Sequence, residues 1–356
     1  MDSITQAVLG AAVADAGLGR RLGRGAALWG LLLGTLPDLD VLAHPWLDPV
    51  EELAWHRGPS HGLVILLLAT PALAWCIRRC HQRAAPGWWP TLLTVWLVLL
   101  THVLIDLFTI YGTGIWEPFS AHRAASNNLF IIDPLFSLPL LIAALASLIF
   151  PADRPWRRPL TMGALGLATA YAAWSFTAKA LIDRRFAQQL AAADLQVERW
   201  LSAPTAFNTV LWRCLAEGER DGRPGFWIGY ASLFDDQAAI AWRWVPQKPE
   251  LLGGWEDSRA ARCVDWFSRG WYVVRLVDAR PLLSDLRFGE LTAFEPAIES
   301  VTRPWIFNFH LSADGHSFAR PGSTSERGGD LFATLWRRLL GRRILPIDRS
   351  PPDGQP

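Results

Sequence analysis

Residues 88–108 read WWPTLLTVWLVLLTHVLIDLF, and this stretch decides the class of fold. A helix that crosses a bilayer needs about 20 mostly apolar residues, and this stretch supplies them. Two ionisable residues, His102 and Asp106, lie near its end. Because they are four residues apart, they share one face of the predicted helix. The stretch therefore predicts a transmembrane helix with a polar face at one end.

Five further apolar runs lie on either side of this one. Residues 134–150 and 160–178 are predicted spans, as is the slightly shorter run 62–77. Residues 4–18 and 25–36 are short and rich in Gly and Ala, which let helices pack closely in lipid. These two runs predict a tight hairpin that spans the membrane or is partly re-entrant. We therefore expect a polytopic α-helical membrane domain with four to six transmembrane helices.

The chain changes character near Lys179. Overall it is 51% hydrophobic and only 19% charged, against about 25% charged residues in soluble proteins. This average combines an apolar first half with a normally charged second half. We expect a transmembrane domain over 1–180, a soluble α+β domain over 181–345 and a disordered tail over 346–356. The net charge of +1 gives no bulk electrostatic reason to expect a nucleic-acid partner.

The second half has the composition of an antiparallel sheet. Segments rich in aromatic and β-branched residues predict strands within 226–234, 239–245, 271–279 and 305–311. Residues 323–343 include a basic amphipathic helix that is expected to lie on the membrane surface. Cys214 and Cys263 form a disulfide if this half faces an oxidising compartment, and remain free thiols otherwise.

Arginines in short loops predict the orientation of the membrane domain. They form three clusters between apolar runs: Arg20, Arg21 and Arg24; Arg78, Arg79 and Arg83; Arg154, Arg157 and Arg158. If every run crosses, the three clusters fall on one side, and basic residues in short loops mark the cytoplasmic side. The intervening loops, and everything after Ala178, are then expected to be extracytoplasmic.

Six histidine and aspartate residues fall at the predicted outer boundary of the membrane. They are Asp38, Asp40, His56, His61, His102 and Asp106. Ionisable groups at the edge of an apolar span cost several kcal/mol unless they are paired, so they are candidates for function. Taken singly, each is also explained as a cap or a hydrogen-bonded boundary residue. The shared depth of the whole set favours a common site.

This mixture of imidazoles and carboxylates is suited to a divalent metal ion. Zinc is expected first, with manganese or iron as alternatives, and the set is large enough for one or two ions. A bound metal lowers the pKa of water and so supplies a nucleophile for hydrolysis. Asp38 and Asp40 are predicted to hold the metal or to act as general base.

Two arginines are candidates for contact with substrate. Arg57 lies between His56 and His61, and Arg123 lies in a polar loop with an aromatic setting. Either guanidinium is suited to clamp a phosphate or carboxylate group on a substrate. The alternative is that each arginine is an interfacial side chain whose charged head reaches towards water.

At this point the sequence resembles a known family. The motifs that carry the resemblance are MDSITQAVLGAAV at 1–13, LPDLD at 36–40, HRGPSH at 56–61, THVLIDLFT at 101–109, EPFSAHR at 117–123 and IIDP at 131–134. Together they resemble the bacterial YdjM-like membrane-bound metal-dependent hydrolases, some of which are regulated by the SOS repressor LexA. The resemblance is strong over about residues 1–135.

The resemblance implies a multi-pass protein of the bacterial inner membrane with metal-dependent hydrolase activity. It implies a metal site at the same six His and Asp positions. Many family members have His where this chain has Gln6, which is a poor metal ligand and is left out of the predicted set. Ser60 and Gly62 replace Thr and Ser of the common HRGxTHS pattern, so the hydroxyl after His61 is missing.

The site depth predicts the class of substrate. A centre at headgroup depth favours hydrolysis of a lipid or of a lipid-linked ester or phosphoester. The alternatives are a non-enzymatic metal sensor, a transporter that uses the same residues, or a membrane scaffold for the soluble domain. Transport would need polar residues near the middle of the bilayer on several helices, and the apolar runs offer few.

Overall fold

The structure is a computed structural model, and it describes residues 1–84, 86–236, 239–290, 305–322, 335–336 and 338–341. The chain forms two compact units. The first consists of Met1–Lys179 together with Ala206–Thr209, and the second of Ala180–Thr205 together with Val210–Pro356. The predicted tail over 346–356 and most of the predicted helix over 323–343 lie outside the described residues.

The first unit is helical. Its α-helices are α1 Ser3–Leu22, α2 Arg24–Thr35, α3 Pro49–Trp55, α4 Leu63–Cys80, α5 Trp88–Leu107, α6 Pro134–Ile149 and α7 Arg157–Ala192, of which α7 continues into the second unit. Two 3₁₀ helices, Pro37–Trp46 and Pro59–His61, lie between α2 and α4.

Capping residues mark where several of these helices begin. The Asp2 side chain accepts from the backbone N–H of Thr5 at the start of α1. Asp48 and Glu51 form a reciprocal capping box at the start of α3, and Asp133 caps α6. Side-chain acceptors at these positions satisfy N–H groups that have no partner within the helix.

Among the described residues, α4 and α5 are long and apolar enough to cross a membrane. The pair of α2 and the 3₁₀ helix Pro37–Trp46, which is bent by 50°, passes the same test if it is counted as one broken span. α6 is apolar but shorter. The described part of the chain therefore has two to three membrane-spanning candidates, and the predicted count of four to six is not confirmed.

α1 and α2 are in very close contact. A Cβ atom on Gly34 would lie 2.5 Å from the carbonyl oxygen of Gln6, and one on Gly30 would collide with the carbonyl oxygen of Gly10. Glycine is thus required at these positions of α2, because only a residue without a side chain lets the two backbones approach so closely. α1 also contacts α5 and α6, and α4 packs against α5.

The two ends of this helical unit differ in composition. At one end, which we call the 3₁₀ end, α2 and α5 terminate and α4 begins beside the two 3₁₀ helices. At the other, which we call the arginine end, α1, α4 and α6 terminate. Trp29 donates to His81 Nε2 there (3.0 Å), and Arg24 donates to the carbonyl oxygen of Ile149.

The second unit contains two antiparallel sheets, which confirms the predicted sheet architecture of this half. Strands β1 Val197–Pro204, β2 Leu211–Arg220, β3 Arg223–Ser232 and β4 Arg243–Pro246 form the first sheet in that order. Strands β5 Tyr272–Val277, β6 Arg280–Glu290, β7 Trp305–Leu311 and β8 Phe318–Ala319 form the second. Helix α8, Arg259–Ser268, precedes β5.

Both sheets contribute to one hydrophobic core. Phe226 and Ile228 of the first sheet pack with Trp271, Val273 and Leu286 around the second. Cys214 is buried within β2, and both it and Cys263 are free thiols, so the disulfide considered above is not formed.

Candidate metal centre

Four of the predicted ligands converge at the 3₁₀ end of the first unit. Asp38 comes from the 3₁₀ helix Pro37–Trp46, His61 from the 3₁₀ helix Pro59–His61, and His102 and Asp106 from one face of α5. One donor atom from each of the four lies within 4.8 Å of the others. Among the described residues, this is the one group of His, Cys, Asp and Glu side chains that is arranged to hold a metal ion.

Five of the six distances between donor atoms are close to those of a tetrahedral site. His61 Nε2 lies 3.1 Å from His102 Nε2, 3.3 Å from Asp38 Oδ1 and 3.3 Å from Asp106 Oδ2. His102 Nε2 lies 3.7 Å from Asp38 Oδ1 and 3.6 Å from Asp106 Oδ2. Four donors placed tetrahedrally about 2.0–2.1 Å from zinc are separated by about 3.3–3.4 Å.

The hydrogen bond of His102 fixes its tautomer. Its Nδ1 lies 2.6 Å from the carbonyl oxygen of Gly34, at the end of α2. Because a carbonyl oxygen only accepts, Nδ1 carries the proton and donates it. The Nε2 atom of the neutral ring is then unprotonated, and its lone pair is available to a cation.

Ser60 fixes His61 in the same way. The Ser60 hydroxyl donates to Asp40 Oδ2 at 2.9 Å, and its oxygen lies 2.9 Å from His61 Nδ1. Since the hydroxyl proton is engaged by the carboxylate, the oxygen accepts from the Nδ1–H of His61. The neutral ring of His61 therefore also presents an unprotonated Nε2.

In this state the four donor atoms face one another without a proton between them. Two imidazole lone pairs 3.1 Å apart repel each other unless a cation or a proton lies between them. Asp38 Oδ1 and Asp106 Oδ2 are buried and have no hydrogen-bond partner. Buried polar atoms are nearly always paired, so the four atoms together have the properties of a cation site.

A sequence profile of the YdjM inner membrane protein family matches residues 1–182, about half of the chain, and covers all four donors. The chain belongs to the YdjM inner membrane protein family. The resemblance inferred from the motifs is thereby confirmed, and membership agrees with the apolar helices α4 and α5. No curated protein and no solved structure matches the chain.

Other groups in this YdjM-family protein hold Asp106 in place. Its Oδ1 accepts from Gln6 Nε2 (2.9 Å), lies 3.2 Å from Arg57 Nη2 and contacts the amino group of Met1. These contacts occupy Oδ1 and leave Oδ2 directed at the imidazoles. Gln6 thus supports the carboxylate from α1, although its position in the opening motif gives no direct sign of that contact.

Carboxylates around His61 favour a positive charge on its ring. Burial lowers the pKa of His61, but the hydrogen bonds and charges of Asp106 and Asp38 raise it by more, so the net direction is upward. A proton and a metal cation therefore compete for the same Nε2 atom. Either one relieves the repulsion between the two imidazoles.

Asp40 and His56 lie beside the four-donor group and outside it. Asp40 Oδ1 is 2.9 Å from His56 Nδ1, and its Oδ2 accepts from the backbone N–H of Arg57 (2.8 Å) and from Ser60. With both oxygens engaged, Asp40 connects His56 to the ring of His61 through Ser60. Asp40 and His56 are therefore not among the four grouped donors, and they connect to that group through Ser60.

The two candidate substrate-binding arginines are both buried. Arg57 donates to Thr109 Oγ1 (3.3 Å) and lies next to Asp106, with its guanidinium over the ring of Tyr111. Arg123 donates to three backbone carbonyls, of residues 53, 54 and 56, at the end of α3. The structure therefore places Arg57 against Asp106 and Arg123 on the loop that carries HRGPSH.

Asp38 is the exposed corner of the centre. Its side chain is 15% exposed, whereas those of His61, His102 and Asp106 are fully buried. The residues that follow it on the same 3₁₀ helix are apolar and exposed: Leu39, Val41, Leu42 and Trp46. A molecule that reaches the centre through this corner meets an apolar surface.

A second buried charge cluster was not predicted from the sequence. Asp15 of α1 forms an ion pair with Arg157 and accepts from Ser147 Oγ and Thr161 Oγ1, both at 2.9 Å. An aspartate within an apolar run is the signal that would have identified it. Its carboxylate is fully paired with protein groups, which is the pattern of a structural contact.

Proposed function

We propose that this protein is a membrane-bound metal-dependent hydrolase that holds one divalent cation, zinc in the first place, at His61, His102 and Asp106, with Asp38 as a fourth donor between turnovers. The observation that carries the proposal is the short spacing of four donor atoms, two of them imidazole nitrogens 3.1 Å apart. Imidazole and carboxylate donors suit zinc, and manganese or iron are the alternatives. When bound, such a cation polarises an ester and lowers the pKa of water.

The residues divide into holding and reacting roles. His61, His102 and Asp106 are fully buried, and each is fixed by a further contact, so they form a rigid three-donor base. Asp38 is partly exposed, and its Oδ1 has no hydrogen-bond partner. We assign to Asp38 the role of accepting the proton of the attacking water, with the option of ligating the metal between turnovers.

The surroundings of Asp38 support a lipid or lipid-linked ester or phosphoester as substrate. An apolar exposed stripe runs along α2 into the following 3₁₀ helix through Leu28, Leu32, Leu36, Leu39 and Leu42. Asp38 lies beside the last part of that stripe. A substrate with an acyl or prenyl chain would bury apolar surface on the stripe and present its polar bond to Asp38. The proposal assigns no substrate contact to Arg57 or Arg123.

We also propose that the centre faces the extracytoplasmic side of the inner membrane. The support is the arrangement of the arginine clusters, which lie in the terminal turns of helices and in the short loops between them, at the end opposite the four donors. Basic residues in short loops favour the cytoplasmic side. A reporter enzyme fused at position 112, in the loop after α5, tests this orientation.

A second candidate is a non-enzymatic metal-binding protein, such as a sensor. The observation that favours it is the number of protein donors. Four protein ligands are typical of closed structural sites, whereas catalytic zinc sites keep one position for water. The two candidates differ in the role of Asp38, because a closed site needs its carboxylate for affinity and a catalytic site needs it for turnover.

Metal content and turnover, measured on the same preparations, test the proposal. We expect one zinc per chain in the purified wild type, and less than about a tenth of that in His102→Ala. His122→Ala is the matched control, because His122 is exposed and lies outside the donor group. Equal, negligible metal in all three proteins would refute the metal centre.

Asp38→Asn then separates the two candidates. The hydrolase proposal predicts a variant that retains its metal and loses at least about 100-fold in turnover of lipid esters or phosphoesters. The alternative predicts a variant with weakened metal binding and a wild type that turns over none of a broad lipid panel.

A further inference from the structure

The arginine end of the first unit carries a basic groove on α4. The groove has a volume of about 290 Å³ and is lined by Trp75, Arg78, Arg79, Gln82 and Pro86. The lining includes two positive charges and no acidic side chain. Because the four donors lie at the beginning of α4 and the groove lies at its end, the groove takes no part in the metal centre.

One of the two arginines is held in a fixed position. Arg78 Nε donates to the carbonyl oxygen of Pro86 at 3.0 Å, and its guanidinium lies 5.5 Å from the centroid of the Trp88 ring. The stacking and the hydrogen bond restrain the side chain, while the terminal N–H groups are not used by that bond. A restrained guanidinium with free donors is well suited to bind a phosphate group.

The groove continues an apolar face of the same helix. Leu68, Ala72, Trp75 and Arg79 are spaced by four, three and four residues, so they lie on one face of α4. Leu68 and Trp75 are 73% and 59% exposed. α4 is long and apolar enough to cross a membrane, and in such a crossing this face, which ends in a tryptophan and the arginines, would lie against lipid chains.

We propose that this groove binds an anionic phospholipid. The phosphate contacts Arg78 and Arg79, Gln82 supplies a further donor, and the acyl chains lie along Leu68 and Trp75. Along α4 the apolar side chains come first and the positive charges follow at the end of the helix. This order matches that of acyl chain and headgroup in a phospholipid. Basic pockets at this level of a membrane protein attract anionic headgroups more strongly than zwitterionic ones.

The test is lipid binding to the purified full-length chain in detergent. Phosphatidylglycerol and phosphatidylcholine with identical chains are titrated separately, and bound lipid is counted by native mass spectrometry. We expect tighter binding of phosphatidylglycerol, and a loss of roughly 30-fold in its affinity in Arg78→Gln/Arg79→Gln, from the attraction of two arginines to an anionic headgroup.

A matched double variant separates a specific groove from a general charge effect. Arg154→Gln/Arg158→Gln removes two exposed charges, one from the loop before α7 and one from its first turn, and is expected to bind phosphatidylglycerol like the wild type. Arg79→Gln alone spares the Arg78 contacts with Pro86 and Trp88, and its affinity for phosphatidylglycerol is expected to fall roughly 5-fold. This single variant replaces Arg78→Gln/Arg79→Gln if that double variant does not fold. Equal losses in the two double variants, no loss in Arg79→Gln, or equal binding of the two lipids by the wild type would each overturn the proposal.

Discussion

Replacing Ser60 by alanine tests how the centre is held together. The hydroxyl lies between Asp40 Oδ2 and His61 Nδ1, at 2.9 Å from each, and it sets which nitrogen of His61 carries the proton. Ser60→Ala removes both hydrogen bonds and leaves the imidazole free to adopt the other tautomer or to rotate. The four donor residues themselves are unchanged.

The magnitude follows from the two lost contacts. A hydrogen bond of this kind contributes about 0.5–1.5 kcal/mol net, so the pair contributes about 1–3 kcal/mol. Loss of a group that orients a metal-bound histidine lowers metal affinity about 10–100-fold. At about 1.4 kcal/mol for each factor of ten, this corresponds to about 1.4–2.8 kcal/mol, within the same range. We therefore expect zinc affinity to fall about 10–100-fold in Ser60→Ala.

The assay is competition for zinc between the purified protein and a chromophoric chelator at fixed pH. Ser60→Thr retains the hydroxyl and is expected to bind within about 3-fold of the wild type. Ser120→Ala is the second control, because Ser120 is exposed and its hydroxyl accepts from the backbone N–H of His122. If Ser60→Ala binds zinc as tightly as these controls, Ser60 does not position His61 and the reasoning is wrong.

Three further substitutions test the packing of the first unit. Gly34→Ala places a Cβ atom 2.5 Å from the carbonyl oxygen of Gln6, so we expect a loss of about 1–3 kcal/mol in the free energy of unfolding. Gly166→Ala, whose Cβ atom meets nothing within 4 Å, should be neutral or stabilising by up to about 1 kcal/mol. Asp15→Ala leaves the guanidinium of Arg157 buried without its partner and should cost about 3–5 kcal/mol. Unfolding in mixed micelles measures all three, and equal values for the two glycine variants, or an unchanged Asp15→Ala, would contradict this account.

The helical first half was predictable because length and apolarity set it directly. The run over 88–108 gave α5 almost to its ends, with His102 and Asp106 on one face. The number of spans was not predictable in the same way. α2 bends by 50° into a 3₁₀ helix that begins at Pro37, and α7 continues to Ala192, well past the predicted span 160–178. A hydropathy pattern reports neither the angle of a bend nor the residue at which a helix ends.

The composition of the candidate site was partly predictable. Shared depth at the edge of apolar runs selected all four donors from the sequence. It could not separate these four from Asp40 and His56. That distinction depends on the fold, which places His61 within the four-donor group and pairs Asp40 with His56 outside it. The hydrogen bond between His102 and the carbonyl oxygen of Gly34 could not be predicted either, because every residue has a backbone carbonyl and the sequence does not show which one lies near His102.

In the second half, the strand predictions missed β1, β2, β6 and β8, and two of these strands carry buried charges. β2 contains Arg213, which is buried and donates to the carbonyl oxygen of Arg287 at 2.8 Å. β6 contains Asp285 and Arg287, which pair with each other in the interior. In a sequence pattern, charged residues such as these indicate loops. In the fold, their ion-pair and hydrogen-bond partners offset the free-energy cost of burying the charges.

The most direct test of the central claim is X-ray absorption at the zinc edge on the zinc-loaded, full-length protein. The account predicts four nitrogen or oxygen neighbours at about 2.0–2.1 Å, with outer-shell scattering from two imidazole rings, and loss of one ring in His102→Ala. Sulfur neighbours, a shell without imidazole, or a spectrum unchanged by His102→Ala would contradict it.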